Sequence, residues 1–446
     1  MLVAAAALSS MLVTGAGSFA AADASHDHAS NSVPAAGQAP PRPDQGVAPA
    51  LEQAARSLDQ AMTAARSGDT DTARQRYADS DADWDAIEHS DKAHKTALDV
   101  AATPGQARVY YIAAEETDWD YAPSGKNLIT GQAFDEAANV FVQRGKDRIG
   151  KVYRKALYRA YADDTFSSRE PVDSRWEHLG TLGPVIRAEV GDTIEVHFKN
   201  ATRFPASMHP HGVRYTKSGE GAPYNDGTSG PDKADDIVLP GGTFTYHWEV
   251  PERAGPGPMD VSSVVWMYHS HTDEVTDTNA GLAGPLIVTR RGGARPDGSP
   301  SDVDREFVTL FSVMDENVSS YLDDNIQRFT GQPASVKKDD PEFRESNHMH
   351  AINGFVYGNL PGLSMHAGER VRWYLLDLGT EVDLHTPHWH GQVGTLAGMR
   401  TDMAELLPGS MKVLDMLPDV TGTWLYHCHV NDHIKAGMQA LFTVAP

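Results

Sequence analysis

The sequence predicts an all-β protein: two related β-sandwiches behind a short helical segment. Three observations carry this. Short runs rich in β-branched and aromatic residues, bounded by Gly, Pro and Asp, recur from Ala107 onward at 109–113, 193–198, 243–248, 286–289, 307–313 and 371–376. The β region repeats internally. Met208-His209-Pro210-His211-Gly212 answers His388-Trp389-His390-Gly391, Tyr268-His269-Ser270-His271 answers Tyr426-His427-Cys428-His429, and 280–288 answers 436–444. Helical spacing of apolar residues is confined to residues 51–100.

In chain order, residues 1–24 read as an export signal. An apolar stretch is followed by Ala22-Asp23-Ala24, a small-x-small cleavage site, although the usual positive start is missing. The expected location is secreted or periplasmic. Residues 25–50, rich in Ala, Pro, Ser and Asp, read as a disordered linker, and His26 and His28 belong to that solvated tail. Residues 51–104 read as a short helical segment: Leu51, Ala54, Leu58, Ala61 and Ala65 share one helical face, and the pattern resumes after Gly68-Asp69. Its expected role is packing or assembly. Residues 105–291 and 305–446 are the two sandwiches, joined by a polar stretch at 291–304.

Bulk chemistry excludes some functions. The 446 residues carry 38 basic and 61 acidic side chains, a net charge of -23, which argues against nucleic acid or an anionic membrane as partner. No run is long and apolar enough to span a bilayer. The single cysteine excludes an intramolecular disulfide.

That cysteine, Cys428, lies between two histidines, with His433 at +5 and Met438 at +10. Thiolate, imidazole and a weak thioether make the donor set of a blue-copper site. On a strand, Cys428 points one way and His427 and His429 the other. Six His-x-His pairs occur; with 20 histidines in the chain, chance predicts about one. Four of them, 209/211, 269/271, 388/390 and 427/429, occupy equivalent places in the repeats. Each pair offers two imidazoles on one strand face. Eight imidazoles and one thiolate suit copper better than a structural zinc, which uses about four ligands.

His385-Thr386-Pro387-His388-Trp389-His390-Gly391, together with 427–438, resembles the copper signature of the multicopper oxidases. From Ala107 to the C-terminus the chain is similar to the ceruloplasmin and hephaestin branch. The likeness also runs through 109–121, 147–150, 180–184, Asp315-Glu316-Asn317 and 349–354. The resemblance implies cupredoxin-like Greek-key sandwiches and four coppers per chain. It implies a type 1 copper on His385, Cys428 and His433 with Met438 axial. His209 and His388 would hold a type 2 copper, and His211, His269, His271, His390, His427 and His429 a type 3 pair. Ser270 and Val275 replace ligands in the first repeat, so no type 1 copper is expected there. This also sets the chain apart from the similar two-domain nitrite reductases, whose type 1 cysteine lies in the first domain and which lack the eight cluster histidines.

The implied activity is one-electron oxidation of a reducing substrate, relayed through Cys428 to His427 and His429, with O₂ reduced to water. Protons require an acid near the cluster. By resemblance to small two-domain laccases, Asp226 is the candidate, although Asn225-Asp226-Gly227 is also strong turn chemistry. Glu345, His350 and Asp432 match the ceruloplasmin-type iron site, which implies Fe(II) as substrate. Its fourth ligand, supplied there by another domain, has no counterpart placed in this sequence. The alternatives are a laccase-like oxidase of phenols or aromatic amines and a non-enzymatic copper store or electron carrier. A Met-rich cuprous oxidase is disfavoured because the 14 methionines do not cluster. A two-sandwich chain can reproduce a six-domain ring as a homotrimer, with each cluster shared between subunits.

Overall fold

The structure, a computed structural model, describes residues 105–446 together with Gln60 and Thr72. The signal, the linker and the helical segment expected in 1–104 otherwise lie outside the described residues.

Four sheets build two sandwiches. In the first, one sheet runs Val152–Tyr161, Ala107–Asp120, Thr193–Asn200, Thr243–Glu249, and the other Ile186–Glu189, Ala283–Thr289, Ser263–His269, His209–Pro210. In the second, one sheet runs His348–Ile352, Arg305–Asp315, Val371–Asp377, Met411–Met416 and then the short strands Gly394–Leu396 and Met399–Thr401. Its companion runs Ser364–His366, Gln439–Ala445, Gly422–Cys428, Pro387–Trp389. The strand orders of the two sandwiches match, parallel pairs included: Ala107–Asp120 lies parallel to Thr193–Asn200 as Arg305–Asp315 does to Val371–Asp377. The internal repeat is therefore a repeat of topology. Sheet neighbours that are not sequence neighbours are the crossing connectivity of a Greek key.

Alternation explains the strands. In Thr193–Asn200, Ile194, Val196 and Phe198 point into the first core while Glu195, His197 and Lys199 face outward. Trp373, Trp389 and Tyr426 stack at the centre of the second core, Trp389 on Tyr426 with centroids 5.1 Å apart. Val152–Tyr161 is a strand that the sequence reading did not single out. It buries Lys155 against Glu316 at 2.5 Å.

A separate apolar cluster joins the sandwiches: Leu182, Val265, Met267 and Ile287 meet Val308, Leu310, Tyr374 and Leu376. Each fully buried aliphatic side chain contributes roughly 1.5–3 kcal/mol. Polar links reinforce the seam. Arg187 grips Glu306 with two hydrogen bonds of 3.1 and 2.8 Å, and Arg372 reaches Ser262 and Ser263 while holding Asp415. The two sandwiches thus form one packed body. Among the described residues, no helix is long and apolar enough to cross a membrane.

Candidate metal centre

Pro387–Trp389 lies antiparallel to Gly422–Cys428, pairing Pro387 with Cys428 and His388 with His427. Strand alternation sends Tyr426 and Cys428 into the core and leaves His427 and His429 on the other face. Inside, the Cys428 Sγ stands 3.8 Å from His385 Nδ1 and 3.6 Å from His433 Nδ1, and the two nitrogens are 3.1 Å apart. Ligands about 2 Å from an ion and spread around it stand about 3.5 Å from one another, so the three donors fit one metal. The helix Asn431–Ala436 carries His433, and the chain returns through Gly437 to bring Met438 into the same core, fully buried. The Met438 N–H donates to the His433 carbonyl at 2.9 Å, and the Cys428 N–H to the Met438 carbonyl at 3.2 Å. One thiolate, two imidazoles and a buried thioether are the blue-copper donor set.

The protein prepares these donors. Burial pushes the Cys428 thiol up, but hydrogen bonds with His385 and His433 and from the Thr386 and Val430 N–H groups outweigh it and bring the thiol down to about 6. Burial opposes a charge on His385, yet Asp383 at 3.2 Å from its Nε2, with Cys428, brings it up to about 9. Asp383 is itself held by the Val313 and Thr380 N–H groups. It fixes which ring nitrogen faces the metal, a partner the sequence reading missed although it lies two residues before His385. Beside it, Asp377 is fully buried with neither carboxyl oxygen hydrogen-bonded, and burial raises it to about 8.

The four pairs form two quartets of similar build. In the first sandwich, His211 Nε2 lies 3.0 Å from His269 Nε2, and the His209 ring stands 5.1 Å from that of His271. In the second, His390 Nε2 lies 3.1 Å from His427 Nε2, and the His388 ring stands 5.5 Å from that of His429. Backbone carbonyls pin the far nitrogens: Glu220 on His209, Asp402 on His388, Ser270 on His269 and Cys428 on His427, each through Nδ1. Each of these four rings therefore turns its Nε2 toward the other members. Burial first, then neighbouring histidines, lowers His211 to about 4; burial lowers His269 to about 4 as well. Neutral imidazoles with converging lone pairs are ready-made metal ligands. Gly212 and Gly391 follow the pairs because the chain turns there at φ 76° and 70°, where a Cβ would stand 2.2 and 2.6 Å from the Trp266 and Trp424 rings. Among the described residues, no ring contact joins one quartet to the other.

Two models described as multicopper oxidase match residues 179–293 and 331–446. The chain belongs to the multicopper oxidase family. Human hephaestin is 48% identical over 346 residues, 77% of this chain and 30% of that protein. Human ferroxidase HEPHL1 is 46% identical over 340 residues, covering 76% and 29%. Human ceruloplasmin is 45% identical over 345 residues, covering 76% and 30%. The chain thus spans about a third of the length of these relatives. Copper is the metal that multicopper oxidase membership implies, and the donors described above fit it.

Asp226 is bonded to the hydroxyl and N–H of Thr228 and ion-paired with Lys217 at 3.1 Å and Lys233 at 3.0 Å. These partners hold its carboxyl well below the usual carboxylate range. Among the described residues, Glu345, His350 and Asp432 form no common metal-sized cluster. The His350 ring is 5.2 Å from that of His433, and burial, then His433, pulls His350 down to about 3. Glu345 reaches His348 instead, at 3.4 Å, and His348 also faces Asp315 at 3.5 Å. His348 was visible as the sixth His-x-His pair, 348/350.

Proposed function

We propose that this protein is a copper oxidase that takes electrons one at a time from a small reductant, foremost Fe(II), and delivers them to O₂, four Fe(II) and four protons yielding four Fe(III) and two waters. Bound copper supplies the one-electron redox chemistry at the Cys428 site and the oxygen chemistry at the histidine quartets, one type 1, one type 2 and two type 3 ions per chain. The chain's own residues do the rest. Cys428 links the substrate side to His427 and His429 through its two peptide bonds. Asp383 orients His385, and the carbonyls of Glu220, Asp402, Ser270 and Cys428 orient the quartets.

One observation carries the choice of substrate: the type 1 donors are sealed. His385 is 1% and His433 6% exposed, with Cys428 and Met438 at zero. A phenol would find little imidazole edge to touch, whereas an ion bound at His350 would lie one ring contact from His433, with centroids 5.2 Å apart. Oxygen ligands favour Fe(III) over Fe(II), which assists loss of the electron. Glu345, His350 and Asp432 are the proposed iron ligands. The chain's similarity to ferroxidase HEPHL1 supports the same reading. A carrier or storage role leaves both quartets without a purpose.

The separation of the quartets supports a homotrimer, in which the first quartet of one subunit faces the second of its neighbour around a closed ring. The apolar N-terminal stretch with its small-x-small site supports export. The deciding experiment compares steady-state Fe(II) and phenol oxidation in wild type and Asp432→Ala. Fe(II) turnover should fall at least about tenfold, a loss of ~1.4 kcal/mol in transition-state stabilisation, with phenol turnover little changed. Equal loss on both substrates removes the iron site from the account.

A further inference from the structure

The first sandwich has kept the frame of the type 1 site and lost its ligands. Ser270 stands where Cys428 does, Leu282 where Met438 does and, by the helix ends, Asp277 rather than the expected Val275 where His433 does: the Leu282 N–H donates to the Asp277 carbonyl at 3.0 Å as the Met438 N–H does to that of His433 at 2.9 Å. The surrounding hydrogen bonds are nevertheless the same. The Ser207 N–H donates to Ser270 Oγ at 3.0 Å as the Thr386 N–H donates to Cys428 Sγ at 3.4 Å. The His271 N–H donates to Ser207 Oγ at 3.0 Å as the His429 N–H does to Thr386 Oγ1 at 3.1 Å. The Ser270 N–H donates to the Leu282 carbonyl at 3.1 Å, and the Cys428 N–H to that of Met438 at 3.2 Å. Both following helices end on a left-handed glycine, Gly281 and Gly437.

What differs is the tie from this strand end to its helix. In the second sandwich the link runs through the sulfur: Cys428 Sγ lies 3.6 Å from His433 Nδ1 on the helix and accepts the N–H of the N-cap Val430 at 3.5 Å. In the first, the buried Ser270 hydroxyl donates to Asp277 Oδ2 at 2.6 Å, and the same oxygen accepts the Asp273 N–H at 3.1 Å. Asp277 is on the helix Glu274–Ala280, and Ser270 lies between His269 and His271. A hydrogen bond to a buried carboxyl group does here what a metal does in the other repeat.

We infer that Asp277 is a positioning residue for the oxygen-reducing cluster: through Ser270 it holds His269 and His271 in place without metal, so that the first-sandwich quartet is shaped before copper arrives. This rests on the proposal that these histidines hold cluster copper. Asp277 touches no reacting atom and acts through the strand that carries the ligands. Groups that orient metal ligands typically change metal affinity about 10- to 100-fold when removed.

The test uses the full-length copper-loaded protein, with total copper measured by elemental analysis against the blue absorbance of the type 1 ion. Asp277→Leu removes the acceptor; Asp277→Asn keeps an oxygen for the Ser270 hydroxyl. Asp277→Leu should keep its blue colour, show a lower ratio of total copper to blue absorbance, and lose its remaining cluster copper to a chelator at about 10- to 100-fold lower concentration. Asp277→Asn should stay close to wild type. An unchanged ratio in Asp277→Leu overturns the inference. So does loss of blue colour in parallel with cluster copper, which marks Asp277 as a general folding residue, and so does an Asn variant as damaged as the Leu variant. Wild-type protein that holds only its blue copper refutes the cluster proposal itself, and this inference with it.

Discussion

Acid should open the seam between the sandwiches at His178. This residue is fully buried, and its ring lies 5.5 Å from Trp176 and 5.3 Å from Phe307. Its Nε2 accepts the Val308 N–H at 3.0 Å, so that nitrogen must stay unprotonated. The other nitrogen has only the Arg175 backbone nearby and no well-formed hydrogen bond. Asn353 locks the position, donating to the carbonyls of His178 at 2.6 Å and Val308 at 2.8 Å. Burial brings His178 down to about 4 from an ordinary 6.5. The unfolded chain therefore takes up this proton from pH 6.5 downward, and the folded chain only near pH 4. In between, the unfolded state binds more protons, so stability falls as pH falls. From pH 7.5 to pH 4.5 the loss from this group is about 2.5 kcal/mol. Urea unfolding of the metal-free protein at both pH values, wild type against His178→Gln, isolates it: glutamine can still accept the Val308 N–H but cannot titrate. Wild type should lose about 2.5 kcal/mol more than the variant on acidification. Equal losses in both would falsify the claim that His178 is held neutral in the seam.

Other expectations follow from the copper sites and the subunit ring. Cys428→Ser should abolish the blue absorbance and substrate oxidation while leaving copper bound to the quartets, since only the thiolate lies on the type 1 side; persistent colour refutes the assignment. Sedimentation should give three times the chain mass, and a fully active monomer rules out shared clusters. Asp226→Asn should leave the pH profile of O₂ consumption unshifted, because its carboxyl is already ionised across the working range; a shifted profile restores Asp226 as a proton donor.

What could be read from sequence followed short periods. His-x-His pairs advertise themselves because strands alternate with period two, and Cys428, His433 and Met438 sit within a single turn of strand, helix and return. All six of the strand runs read from composition fall within observed strands. Partners that depend on long-range folding stayed hidden. Val152–Tyr161 contains good helix formers and buries three polar-tipped side chains, Tyr153, Lys155 and Tyr158, and its Lys155 makes sense only against Glu316, 161 residues away. Asp277 reads as an ordinary helix carboxylate until Ser270 is seen to donate to it. The distance between the two quartets has no local signature at all, because it depends on how one sandwich packs against the next.

On the proposed copper assignment, the two repeats also explain why electrons would enter in one place only. A duplicated type 1 site in the first sandwich would put a second thiolate between His269 and His271, giving the cluster two competing inlets. Replacing Cys by Ser270 alone would leave a buried hydroxyl needing an acceptor, a cost of about 1–3 kcal/mol if unmet. Asp277 meets that need, and the Asp273 N–H is a second donor to the same oxygen. A serine with a carboxyl partner thus keeps the frame that orients the histidines without providing a route through sulfur. On that assignment, Cys428 would be the single covalent bridge between the buried type 1 donors and the histidines beside it.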